Sequence, residues 1–178
     1  MDFISPIEDA IIDRLLAKTG KRVLVQPYPD DPEIYEPTHA IGALLVRYTE
    51  GNYGDTRDTS LVVQNREMLF EVTLAMWSLR GKQGGIYEFM ETARAGLTGF
   101  VPPNCSKKLT PVSEGYVGRS AGLKVKNRRL WQYQITFRTE TLNIEVQEEE
   151  PVILVKRITA ISESTNDHEI TGLVEPKR

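Results

Sequence analysis

Apolar and polar positions alternate along this chain in two distinct periods. Ile7, Ile11 and Leu15, with Ile12 and Leu16 beside them, recur at helical spacing after Ser5 and Pro6. Ser5 fits an N-cap, Pro6 the first helical position, and Glu8 completes a Ser-x-x-Glu capping box. Gly20 is a suitable stop, so a helix is predicted over the first twenty residues, leading directly into a short strand at "RVLVQ", 22–26. "PYPDDPEIYEP", 27–37, carries four prolines and four acids and excludes regular structure. "AIGALLVRYT", 40–49, predicts a strand buried on both faces, and "EGNYGDTRDTS", 50–60, a turn-dense connection.

From Glu67 to Leu79 the period is two: Met68, Phe70, Val72, Leu74 and Met76 alternate with Leu69, Glu71, Thr73, Ala75 and Trp77. Gly81, Gly84 and Gly85 then punctuate the chain. Ile86, Phe89, Met90, Ala93 and Leu97 restore a helical stripe, ended by Gly99 and Pro102–Pro103. Residues 104–129 show little patterning beyond Leu109–Val112 and predict a long polar loop. Trp131, Tyr133, Ile135 and Phe137 alternate with Gln132, Gln134, Thr136 and Arg138, which predicts a half-buried strand with one wet face. "EVQEEEP" interrupts it, "VILVKRITAI", 152–161, predicts a last strand, and a polar tail follows. The order implies an α+β fold: a mixed, mainly antiparallel sheet with two helices packed on one face, plus a C-terminal strand-bearing extension. The domain is expected over 1–141 and the extension over 142–178.

Composition narrows the function classes more than the fold. The 178 residues suffice for a packed core without disulfides or metal, and the single cysteine, Cys105, cannot form an internal bridge. Asp2 in "MDFISPIEDAII" argues against a signal peptide, and no apolar run approaches the roughly 20 residues of a membrane span, so assembly in the cytoplasm with no membrane partner is expected. A net charge of -3 gives the molecule as a whole no attraction to nucleic acid.

Candidate chemistry is sparse. His39 and His168 lack neighbours at metal-ligand spacing, apart from Asp167 and Glu169 beside the second. Cys105 has no local activating signature. "RGKQGGIYEF", 80–89, has a glycine loop opening onto a helix, but neither the Gly-Lys-Ser/Thr order nor the Gly-x-Gly-x-x-Gly fingerprint of a phosphate loop. The acid pairs Asp30–Asp31 and Glu148–Glu150 fall in predicted loops. No catalytic, metal or cofactor site is predicted, and the chain is read as non-enzymatic.

Charge is unevenly placed. Between Cys105 and Leu130, seven basic residues (Lys107, Lys108, Arg119, Lys124, Lys126, Arg128, Arg129) face a single acid, Glu114. From Arg138 onward nine acids outnumber five bases, with Glu148, Glu149 and Glu150 consecutive. In "LKVKNRRLWQYQITF", 123–137, the basic residues precede Trp131 and Tyr133, which raises the alternative of a nucleic-acid-binding module built on loop 124–129. The alternation places both rings with Ile135 and Phe137, in the core, and leaves the basic residues in the preceding loop, where their charges are solvated or meet a partner's acids.

"IEDAIIDRL" (7–15), "LTPVSEGYVG" (109–118) and "LWQYQITFRTE" (130–140) resemble the short tail proteins of Mu-like phages and prophages, which are similar to the lambda tail terminator. The likeness covers about 1–141. It implies a virion protein of the tail or neck, assembled in the host cytoplasm, forming a homo-hexameric ring. Such a ring caps the tail tube, stops its polymerisation and joins it to the head–tail connector. Implied partners are further copies of the chain, the tail tube protein, a sheath protein and the connector, with DNA only passing through the lumen. A closed ring needs two different patches that fit each other, and the opposed charge segments are candidates for them.

Overall fold

In a computed structural model of the chain, the structure describes residues 2–31, 37–56, 61–82, 84–117 and 130–146. These belong to one compact unit, Met1–Glu145, except Val146, which falls in a second unit reaching Arg178. The elements are α1 (Ser5–Thr19), β1 (Leu24–Pro27), β2 (Gly42–Tyr53), β3 (Val63–Met76), α2 (Ile86–Leu97), β4 (Thr110–Tyr116) and β5 (Trp131–Ile144). The five strands make one sheet in the order β1-β2-β3-β5-β4. Among the described residues only β1 and β2 run parallel, and every other pairing is antiparallel. This is the α+β architecture the sequence predicts. The predicted strand at 152–161 and the polar tail lie outside the described residues.

The two helices lie on one face. Ile7, Ile11 and Leu15 of α1 and Ile86, Phe89, Ala93 and Leu97 of α2 close over Met68, Phe70, Val72, Leu74 and Met76 of β3, with Ile135 and Phe137 of β5. Because strand side chains alternate, burying the even-numbered residues of β3 in this core commits the odd-numbered ones to the far face. The helices also clasp each other: Arg14 Nε donates to the Gly96 carbonyl oxygen near the α2 C-terminus at 3.1 Å, and its guanidinium lies over the Phe100 ring.

Helix α1 starts differently from the expectation. Asp2, not Ser5, does the capping: its Oδ1 accepts from the backbone N–H groups of Ile4 and Ser5, both at 3.1 Å. Glu8 is drawn away from any capping box to accept the N–H of Tyr48. Tyr48 stands just before a bulge in the β2–β3 register. The Val46 carbonyl faces β1, accepting from Tyr28, so by alternation the Tyr48 N–H points past the last β1 pair, Pro27 with Val46, where Glu8 supplies the acceptor. A helix carboxylate thus completes the sheet. The stop at Gly20 is as predicted, with φ +61°.

Two segments expected to be loops are strand. Glu50–Tyr53 continues β2 beyond the bulge, pairing with residues 66–69. Gly51 reads as a turn residue but serves packing, since a Cβ there would lie 2.2 Å from the Tyr48 hydroxyl. Thr110–Tyr116, assigned to the long polar loop, is edge strand β4. All seven of its residues are exposed, so no burial pattern marks it in the sequence. Strand β3 also begins four residues earlier than expected, at Val63 rather than Glu67, and ends at Met76.

Candidate interaction surface

The segment between α2 and β4 is tied down along its length. The N–H of Gly99 bonds the Leu109 carbonyl and that of Leu109 bonds the Phe100 carbonyl. The hydroxyls of Thr139 and Thr141, buried on β5, donate to the carbonyls of Lys107 at 2.6 Å and Asn104 at 2.7 Å. Cys105 is held in this segment, half-buried, and burial pushes its thiol pKa up, partly offset by the Thr139 hydroxyl. A raised pKa means less thiolate, the opposite of an activated nucleophile.

This brace sets Lys107 and Lys108 at the N-terminal end of β4, both exposed. Lys107 Nζ pairs with Glu140 on β5 at 2.8 Å. Of the residues predicted to form a charged contact surface, these two are placed. Arg119, Lys124, Lys126, Arg128, Arg129, Glu148, Glu149 and Glu150 lie outside the described residues.

At the other end of β4 an aromatic cluster appears that the sequence reading did not foresee. Tyr116 pairs in register with Tyr133, ring centroids 5.3 Å apart, and lies 6.0 Å from Trp131. Tyr87, in the first turn of α2, meets Tyr133 edge-on at 5.9 Å, and Arg80 lies over Tyr87. A hydrogen bond with Tyr87, then burial, holds the Tyr133 hydroxyl above its ordinary pKa of 10.0. Trp131 and Tyr133 do share the face of Ile135 and Phe137, as predicted, but they are half-buried rather than core. Tyr87 of α2 and Tyr116 of β4 flank the Tyr133 ring, and Tyr116 itself remains 50% exposed. Tyrosines with an apolar body and a wet hydroxyl are the side chains that protein interfaces favour.

The far face of the sheet departs from its predicted wetness. Gln132 is 1% exposed and Glu71 3%. Arg47 Nη2 pairs with Glu71 Oε1 at 2.9 Å, Thr73 Oγ1 donates to the same oxygen at 2.8 Å, and Gln134 Nε2 donates to Oε2. The Arg47 guanidinium then stacks over Tyr28, 4.4 Å from the ring centre. Both carboxylate oxygens of Glu71 are therefore occupied. The arrangement ties β2, β3 and β5 together through one buried carboxylate.

The remaining chemical candidates resolve in similar terms. In the glycine loop before α2, the N–H groups of Gly84, Ile86 and Tyr87 already bond the carbonyls of Gly81, Ser78 and Leu79. Gly85 is required there because a Cβ would lie 2.4 Å from the Leu79 carbonyl oxygen. His39 Nδ1 accepts the Ile41 N–H at 3.3 Å in a turn leading to β2; His168 lies outside the described residues. Among the described residues no three His, Cys, Asp or Glu side chains converge as a metal site, and no helix is long and apolar enough to cross a membrane.

The family model described as "Gp37 protein" matches residues 11–163, most of the chain, which therefore belongs to that family. No curated protein matches the sequence. A chain in the structure titled "Virion of native gene transfer agent (GTA) particle" is similar at 11% identity, over 78% of this chain and 96% of that one, with a TM-score of 0.47.

Proposed function

We propose that this member of the Gp37 protein family is a structural protein of a phage-like virion. Its copies form a ring, six by likeness to tail terminators, that caps the tail tube, ends its polymerisation and joins it to the head–tail connector. It acts by contact and carries out no reaction. Its neighbours are further copies of itself, the tail tube and sheath proteins and the connector, while DNA passes through the lumen. The charged extension 142–178 and the basic residues of 119–129 serve as contact segments.

One observation carries the reading. "LTPVSEGYVG", 109–118, is among the stretches that resemble the tail terminators, and within it lies the exposed edge strand β4. Val112 and Tyr116 on it, and Val117 just beyond its end, are 37% exposed or more. An exposed strand edge with apolar side chains is a template for pairing with another chain. Light scattering on the full chain, alone and with isolated tail tubes, tests this. A discrete oligomer near six times 20.2 kDa, or a monomer that assembles on tubes, is expected. A strict monomer that ignores tubes would defeat the proposal.

A further inference from the structure

We infer that the ring closes edge to edge, the open side of β4 on one copy pairing with the open side of β1 on the next; this rests on the ring reading above. β4 and β1 are the two ends of the sheet order, so each has one side without a strand among the described residues. Following the pairings across the sheet, β1 and β2 point one way, β3 the other, β5 back, and β4 opposite to β1. A second copy set beside the first in the same orientation therefore offers its β1 antiparallel to β4. That is the geometry in which ladder hydrogen bonds run perpendicular to the strands. The contact is heterologous, one edge meeting a different edge, as a closed ring requires.

Length and charge agree with it. Pro111 lacks an N–H, and the register shift between Pro111 and Ser113 breaks the first half of β4, leaving Ser113–Tyr116 regular. Four residues remain, matching the four of β1, Leu24–Pro27. In antiparallel register the exposed Lys107 and Lys108 ahead of β4 approach the exposed Asp30 and Asp31 beyond β1. The interrupted half and the terminal Pro27 confine pairing to one short stretch.

A charge-swap cycle on the full chain tests the contact. Lys108→Glu alone, and Asp30→Lys with Asp31→Lys alone, each weaken assembly by about tenfold, and combining them restores it. All three positions are exposed loop residues, so thermal melting of the subunit stays unchanged. Independently of any variant, hydrogen exchange at the amides of 113–116 and 24–26 slows on assembly. An oligomer indifferent to both swaps, with exchange unchanged at these strands, overturns the edge contact and leaves the ring standing. Failure of the unmodified chain to assemble, alone or on tubes, overturns both.

Discussion

Phe70 and Glu71 are neighbours on β3, and both are buried, yet they hold the molecule together in different ways. Phe70 stands beneath the helices, beside the Tyr48 ring at 5.5 Å, and its contribution is area removed from water and dense packing. Glu71 stands on the far face, and its contribution depends on every oxygen being matched by Arg47, Thr73 and Gln134. The first kind of burial is tolerant in direction and costly in volume. The second is tolerant in volume and costly if one partner is removed.

The largest expected effect lies on the helix-covered face. Phe70→Ala should destabilise by about 3–5 kcal/mol, through lost burial and the cavity left under α1 and α2; chemical denaturation checks it. Glu71→Ala comes next, at about 2–3 kcal/mol, because it strands the Arg47 guanidinium and two polar partners. Replacing the pair together, Arg47→Met with Glu71→Leu, should recover much of that loss. If the double variant is no better than Glu71→Ala, the far face is not held by a matched network. Gly42→Ala tests the contact between β2 and β3: at φ +138° a Cβ would sit 2.3 Å from the Ala75 carbonyl oxygen, and a loss of about 1–3 kcal/mol is expected.

The smallest effect is one of pH. Burial raises the Glu8 pKa above its ordinary 4.5, partly offset by the Tyr48 N–H that it accepts. A carboxyl with a raised folded-state pKa binds more protons folded than unfolded, so stability falls as pH climbs from 4.5 through the folded value. Glu8→Gln, whose amide oxygen can still accept from Tyr48, should flatten this slope in urea titrations between pH 4.5 and 7. A slope unchanged by the substitution would place its origin elsewhere.

The same contrast explains what could be read in the sequence. The helix-covered face announces itself: Met68-Phe70-Val72-Leu74 and Trp131-Tyr133-Ile135-Phe137 alternate cleanly, and both long strands and both helices follow from such stripes. Polar burial leaves no equivalent mark, because Glu71, Thr73 and Gln132 look identical to wet-face residues until their partners on other strands are placed. β4 escaped for a related reason, since an edge exposed on both faces has no periodicity to detect. At the α1 start, Ser5 and Glu8 form a sound local motif that lost to distant demand: the Tyr48 N–H past the end of β1 needed an acceptor, and Asp2 was available to cap. Within the candidate surface, charge singles out Lys107 and Lys108 in the sequence, but the brace that sets them ahead of β4 depends on Thr139, Thr141 and Glu140 of a distant strand. The Tyr87–Tyr116–Tyr133–Trp131 cluster joins three segments and could be found only in the fold.

Length control of a tail tube is read most directly by electron microscopy of tails assembled with and without this protein. Tubes of uncontrolled length in its absence, and tubes of uniform length ending in a ring when it is supplied, are expected. Tubes that stop at their normal length without it would rule out the proposed role.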